Sequence, residues 1–355
     1  MKVDSEINGL YLDGSYFTLP ELFRFCEIEL KVATEPEWKL DIFRFILEFL
    51  NDSDSIIQET SGTTGIPKSI KLSKKSMLHS AKNTVDFFSL KKEDVAILCL
   101  PIKYIAGKMM VVRAFVSGMK IHLIEPSATP DFKGIGRIDF CAMVPMQASS
   151  LLQKKIWPEI KTLILGGAET GKELTRQLQH LETEVFETYG MAETCSHVAL
   201  KRINGNQPET SFTALPDVQL STDERDCLVI EASYLPEKIV TNDRVEILSA
   251  NQFKWLGRFD NVINSGGIKI QPEILEQQFR EILGMPCAII GKPDELLGQK
   301  MVLIIETSLL IKKERVLSKL ALHFDKKLVP KEIHFLKELP KNESFKIDRN
   351  KLIEP

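Results

Sequence analysis

Residues 59–69 read ETSGTTGIPKS, with DSIIQ just before and IKLSK just after. Glycines, hydroxyls and one lysine in so short a stretch are the equipment of a phosphate-binding loop. The Walker A pattern G-x-x-x-x-G-K-[ST] fits from Gly62 at every fixed position but one, where Pro67 replaces the second glycine. That glycine supplies a backbone N–H and an unusual dihedral to an anion nest, whereas proline has neither. A Walker lysine also opens a helix at once. Here Ile70 and Leu72 alternate with Ser69, Lys71 and Ser73, which is strand periodicity. The stretch is therefore expected at the tip of a hairpin between two strands.

Outward from the loop, the whole chain reads as a globular α/β protein. It has 355 residues, enough for two or three domains, with 43% hydrophobic and 27% charged residues and a net charge of −3. Without a basic surplus there is no electrostatic case for nucleic acid as a partner. The six cysteines (26, 99, 141, 195, 227, 287) include no CxxC pair, so neither a disulfide scaffold nor a zinc cluster is expected and a cytoplasmic location is. The start, MKVDSEINGLYLDG, lacks the features of a signal peptide. The most apolar stretch, VAILCLPIKYIAGKMMVVRAF, is broken by Pro101, Lys103 and Lys108, so no membrane span is expected.

Apolar spacing of three and four predicts helices in FTLPELFRFCEIEL and WKLDIFRFILEFLN. The runs VAILCL, KIHLIE, FCAMVP and TLILG suit buried strands of an α/β sheet. A second α/β stretch opens near Gly257. Pro272 starts an amphipathic helix that Gly284 stops, and CAIIG and MVLIIE follow as strands.

The string T-S-G-T-T-G-x-P-K resembles the phosphate loop of the adenylate-forming superfamily, which contains acyl-CoA synthetases, luciferases and the adenylation domains of peptide synthetases. Read alone, a solvated Ser/Thr/Gly hairpin is the other reading. The resemblance implies that Thr60, Ser61, Gly62, Thr63, Thr64, Gly65 and Lys68 wrap the β- and γ-phosphates of ATP. Ser69 stands where the family usually has glycine. Further motifs follow in family order. LILGGAETGKEL (163–174) looks like the adenine-side segment, with Gly166, Gly167 and Ala168 approaching the base, although strand–Gly-Gly–helix joins are common in α/β proteins. ETYGMAETCS (187–196) is similar to Y-G-x-T-E. It implies Tyr189 and Gly190 at the adenine and Glu193 on a Mg²⁺ that bridges ATP phosphates. Ala192 replaces the family threonine, leaving Thr194 or a water to supply that hydrogen bond.

TNDRVEI (241–247) looks like the T-G-D segment, with Asn242 in the glycine position and Asp243 on the ribose hydroxyls. Read alone, Asn-Asp is a turn before a strand. GRFDNVINSGGIKIQPEILE (257–276) is similar to the long pattern G-R-x-D-x-x-I-x-x-x-G-x-x-I-x-P-x-E-[IL]-E. That likeness implies Arg258 at ribose or phosphate, Asp260 as hinge, and Gly266 and Gly267 beside the pantetheine of CoA. LPKNESFKIDR (339–349) resembles P-K-x-x-x-G-K-[IV]-x-R. By it Lys346 is the catalytic lysine of adenylation, with Phe345 in place of the preceding glycine.

The resemblance runs from about residue 56 to the end and implies an α/β fold of two parts. One is a large ATP- and acid-binding domain over 1–257, trimmed at its front because fewer than 60 residues precede the loop. The other is a smaller, mobile α+β C-terminal domain over 258–355. Among short family members the chain looks most like those that join o-succinylbenzoate to CoA in menaquinone synthesis, on the segments YGMAETCSHVAL and LPIKYIAGKMMVVRAF. A dicarboxylic acid needs a cation for its second carboxylate. Lys103, Lys108, Arg113 and His197 are the candidates, each also readable as a solvated or structural side chain. The implied partners are a small carboxylic acid, ATP and CoA. Loading of a carrier protein, and a degenerate nucleotide-binding protein without activity, are the alternatives.

Overall fold

The apolar runs form the middle of a parallel sheet. In the computed structural model, which describes residues 7–60, 68–341 and 347–353, Gly9–Leu12 (β1) and Ser15–Thr18 (β2) make a hairpin. Its turn, Asp13-Gly14, has φ of 46° and 84°, the type I′ geometry that matches strand twist. Leu19–Val32 (α1) and Glu37–Leu50 (α2) are the two expected helices, and α2 buries Leu40, Phe43, Ile46, Phe49 and Leu50. Ser55–Thr60 (β3) and Lys68–Ser73 (β4) pair antiparallel from Ser55↔Ser73 to Thr60↔Lys68, a two-stranded ribbon apart from the main sheet. The alternation in IKLSK required this pairing.

After Lys74–Phe88 (α3), strands and helices alternate. They are Val95–Leu98 (β5), Ile105–Ser117 (α4), Lys120–Leu123 (β6), Ile138–Met143 (β7), Pro145–Gln153 (α5), Ile160–Leu165 (β8), Lys172–Leu178 (α6) and Glu184–Gly190 (β9). The order β9-β8-β7-β5-β6-β1 is parallel throughout, with β2 antiparallel outside β1. His197–Arg202 (β10) and Phe212–Ala214 (β11) continue antiparallel beyond β9. Ile97, Cys141, Met143, Leu163, Leu165 and Val185 share one apolar core with Leu151 and Leu178 of the flanking helices. Because β5 lies between β6 and β7, the chain leaves it to opposite sides, and the crevice beyond the carboxyl ends is the switch point where α/β sheets bind ligands. Helix α4 is buried without a break from Gly107 to Phe115, the mark of a helix enclosed on every side.

Val218–Thr222 (β12), Cys227–Ala232 (β13), Ile239–Ser249 (β14) and Gln252–Arg258 (β15) are neighbours in that order. Then come Ile263–Ser265 (β16), Ile268–Ile270 (β17), Pro272–Leu283 (α7), Cys287–Asp294 (β18), Gly298–Glu306 (β19), Lys313–Ala321 (α8), Glu332–Leu336 (β20) and Asn350–Ile353 (α9). A five-stranded sheet orders β17-β16-β19-β18, with β20 parallel beside β19. Alternate residues face two cores. Cys287, Ile289, Met301, Leu303 and Ile305 meet Leu275 and Phe279 of α7 and Val316 and Leu320 of α8. Ala288, Ile290, Val302 and Ile304 meet Leu339 and Leu352. Helix α7 begins at Pro272 and ends at left-handed Gly284, as its sequence predicts.

The chain divides into two compact units, residues 1–219 with 231–239, and residues 220–230 with 240–355. This division starts earlier than the boundary at 257 expected from the motifs. Among the described residues no helix is long and apolar enough to cross a membrane.

Candidate active site

In the first unit, the expected adenine-side segment leaves the carboxyl end of β8. The Gly166 N–H donates to the Met143 carbonyl at 3.1 Å, and the Thr188 hydroxyl donates to the Leu165 carbonyl at 3.1 Å, so the ends of β7, β8 and β9 are tied together. Buried Glu187 accepts from the Thr170 N–H at 2.9 Å and pairs with Lys201 Nζ at 2.6 Å. Tyr189 packs on Phe212 with ring centroids 5.8 Å apart. Gly190 sits where β10 crosses closest. A Cβ there would lie 2.2 Å from the Ser196 carbonyl oxygen, so a larger residue would force the strands apart.

The turn after Gly190 is closed by the Cys195 N–H, which donates to the Ala192 carbonyl at 2.9 Å. Glu193 on that turn is exposed. Thr194 does not replace the hydroxyl missing at Ala192. It is 0% exposed, its Oγ1 accepts from the Met191 N–H at 3.0 Å, and it lies 2.5 Å from the Ser196 carbonyl. That hydroxyl serves the turn itself.

Two of the four candidate acid-binding residues meet. Arg113, 1% exposed, donates through Nη2 to Ser196 Oγ at 2.5 Å and lies 3.4 Å from His197 Nδ1. His197 Nε2 is 3.2 Å from Thr84 Oγ1. The other guanidinium contact is Met110 Sδ at 3.7 Å, and Nε has no partner among the described residues. Burial pulls the guanidinium down to about 9, so it remains a cation at neutral pH. Burial first, and Arg113 second, hold His197 well below its ordinary range, so its ring is neutral. Lys108 does not join them. Five residues along a helix turn by about 140°, and its ammonium lies over the Phe45 ring at 5.6 Å. Burial lowers its pKa, opposed by Glu48 and Glu59. Lys103 precedes α4, with Nζ 5.0 Å from the Tyr104 ring centroid and its carbonyl accepting from Gln58.

The second unit groups Asp243, Arg258 and Asp260. Asp243 is buried, accepts from Trp255 Nε1 at 3.3 Å, and lies 3.7 Å from Arg258 Nη1. Arg258 Nη2 donates to Asp260 at 2.7 Å. Gly266 and Gly267, with φ of 58° and 81°, form the two-residue turn between β16 and β17, which only left-handed residues can make. Of the phosphate-loop residues, Thr60 and exposed Lys68 end the paired strands. Ser61, Gly62, Thr63, Thr64, Gly65 and Lys346 lie outside the described residues.

Thr84 and Ser196 were not legible as site residues. Thr84 meets His197 across 113 positions, and no local pattern announces such a contact. A magnesium ion fits the donors present. Among the described residues no cluster of three His, Cys, Asp or Glu could hold a metal. Exposed Glu193, on the turn after Gly190, would hold such an ion, since magnesium binds proteins through as little as one carboxylate and keeps several waters.

Comparison with known proteins identifies the family. The AMP-binding enzyme family matches residues 48–222. An acyl-CoA synthetase (AMP-forming)/AMP-acid ligase II-like protein from Dyadobacter fermentans is 35% identical, covering 91% of this chain and 96% of its own, with a TM-score of 0.60. The chain belongs to this family of AMP-binding, adenylate-forming enzymes. More particularly, it is similar to the 2-succinylbenzoate–CoA ligase of Enterococcus faecalis, 28% identical over 86% of this chain and 71% of the relative. The o-succinylbenzoate–CoA synthetase of Bacillus subtilis, in complex with its acyl-adenylate, shares the fold at a TM-score of 0.78 and 16% identity, covering 100% of this chain and 96% of that one.

Proposed function

We propose that this chain is an acid–CoA ligase that adenylates o-succinylbenzoate with ATP, releases pyrophosphate, and transfers the acyl group to CoA for menaquinone biosynthesis. The observation that carries the choice of acid is Arg113, a buried cation with no carboxylate partner among the described residues. A buried charge without a counter-charge costs several kcal/mol, roughly, in the absence of compensation. A substrate with a second carboxylate supplies the missing counter-charge, and neutral His197 accepts or donates a hydrogen bond without competing for it.

In the first half-reaction the acid carboxylate attacks the α-phosphorus, and pyrophosphate leaves. Residues 60–65 and Lys68 hold the phosphates, Tyr189 and 166–168 the adenine, and Asp243 and Arg258 the ribose. Lys346 offsets negative charge as it gathers, so catalysis is positioning and electrostatics. When bound at Glu193, magnesium supplies further positive charge against the phosphates. In the second half-reaction the domain beginning at residue 258 turns about Asp260 and brings the Gly266–Gly267 turn to the CoA thiolate, which attacks the mixed anhydride and releases AMP. The reading includes a cytoplasmic location, consistent with six free, buried cysteines.

Pyrophosphate exchange with a panel of acids tests the proposal. The expected result is exchange that depends on o-succinylbenzoate and exceeds that with benzoate. Adding CoA should then yield the thioester. A flat response to o-succinylbenzoate sinks the choice of acid, and transfer only to a carrier protein sinks the acceptor.

A further inference from the structure

Asn242 occupies the position of a family glycine, and its amide is fully engaged. Nδ2 donates to both oxygens of Asp260 at 3.2 Å each, while Oδ1 accepts from Arg225 Nη1 at 2.8 Å. Arg225 is itself held by Asp223 through Nε at 2.8 Å and by the Thr241 carbonyl through Nη2 at 3.2 Å. Its guanidinium lies 5.1 Å from the centroid of Phe259. The turn Phe259–Asn261 is thus gripped at two adjacent residues from the strand side, and Arg258 holds the same Asp260 carboxylate at 2.7 Å. A glycine at 242 has no atoms with which to hold Asp260 or to order Arg225.

We propose that Asn242, backed by Arg225, is a clasp on the turn at Phe259–Asn261 that slows reorientation about Asp260 and so sets the balance between the two half-reactions. The proposal rests on the reading of Asp260 as the hinge. Both side chains of the clasp contact are solvent-accessible, so water replaces these hydrogen bonds on opening and their net strength is modest. That suits a device that must open in every catalytic cycle. Asn242 acts here as a positioning residue, since it touches the hinge carboxylate and no reacting atom.

The test uses the full chain with Asn242→Ala and Asn242→Gly. Trypsin cleavage after Arg258 reports release of the turn without any need for activity, and should quicken about three- to ten-fold in both variants. Thioester formation on mixing CoA with preformed enzyme-bound adenylate should rise by a similar factor, with the pyrophosphate burst unchanged. Unaltered cleavage in both variants would overturn the clasp, and a change confined to glycine would assign the effect to backbone freedom. Faster cleavage with an unaltered half-reaction balance would keep the contact but overturn both its kinetic role and the hinge reading.

Discussion

Each unit of this protein draws an arginine out of water, Arg113 wholly and Arg349 in large part, and the two are solvated by opposite means. Arg349, 20% exposed, donates to Glu276 through both terminal nitrogens at 2.6 and 3.0 Å and to the Ile289 carbonyl at 2.6 Å, with Glu273 at 3.7 Å. Burial opposes its charge, but Glu276 and Glu273 more than offset that, and its pKa lies above the ordinary value. Arg113 is more deeply buried and has a serine hydroxyl, a neutral imidazole and a thioether instead. An ion pair completed within the fold serves architecture. Arg113 has no carboxylate partner among the described residues, and on the function proposed above the substrate supplies it.

The comparison breaks most visibly at the completed pair. Arg349→Met leaves Glu276 buried and uncompensated, and should lower unfolding stability by about 3–5 kcal/mol in denaturant melts. Arg113→Met should do the reverse. Stability of the unliganded protein holds or rises because a buried charge is gone, while kcat/KM for o-succinylbenzoate falls about 10²-fold. Loss of stability with unchanged selectivity against benzoate would make Arg113 structural after all. A smaller effect concerns its neighbour. The folded protein keeps His197 neutral, so below its ordinary pKa of 6.5 only the unfolded chain takes up the proton. Stability is therefore complete above that pH and declines as pH falls, by about 1.4 kcal/mol per unit for one proton. His197→Asn should remove that part of the slope from thermal melts recorded against pH. The smallest effect belongs to half-buried Arg225, whose Ala variant should move the melt little and alter chiefly the several-fold half-reaction balance of the clasp.

What could be read in advance follows from the range of the forces involved. Strands β5, β7 and β8 are apolar along nearly their whole length because parallel strands are covered on both faces, so VAILCL, FCAMVP and TLILG announced them. The capped helix α7 and the β3–β4 pairing were equally local. Of the antiparallel strands from β10 to β15 only one was signalled, after the Asn-Asp of TNDRVEI, and Asn242 and Asp243 lie inside β14 rather than in a turn before it. Sequences such as VQLST and IVTNDRVEILS mix polar residues into a weak alternation. The Asp13-Gly14 hairpin carries a local signal of its own, a D-G pair between apolar residues. In the site, Arg113 and His197 could be nominated by charge and motif. That they meet, and that Lys108 turns away, depends on helix phase and on β10 crossing at Gly190.

Helix α4 gives the chain an uneven capacity to change its chemistry. Every position from Gly107 to Phe115 is packed, so, if Arg113 selects the acid as proposed, a mutation near it alters the core at the same time as the acid preference. New preferences should therefore emerge first at Thr84 and Ser196, small hydroxyl residues that bear on the same cluster from α3 and from the turn before β10. Diversification of acid choice in a lineage descending from this sequence would be led by its least conspicuous residues, with the arginine itself the last to be exchanged.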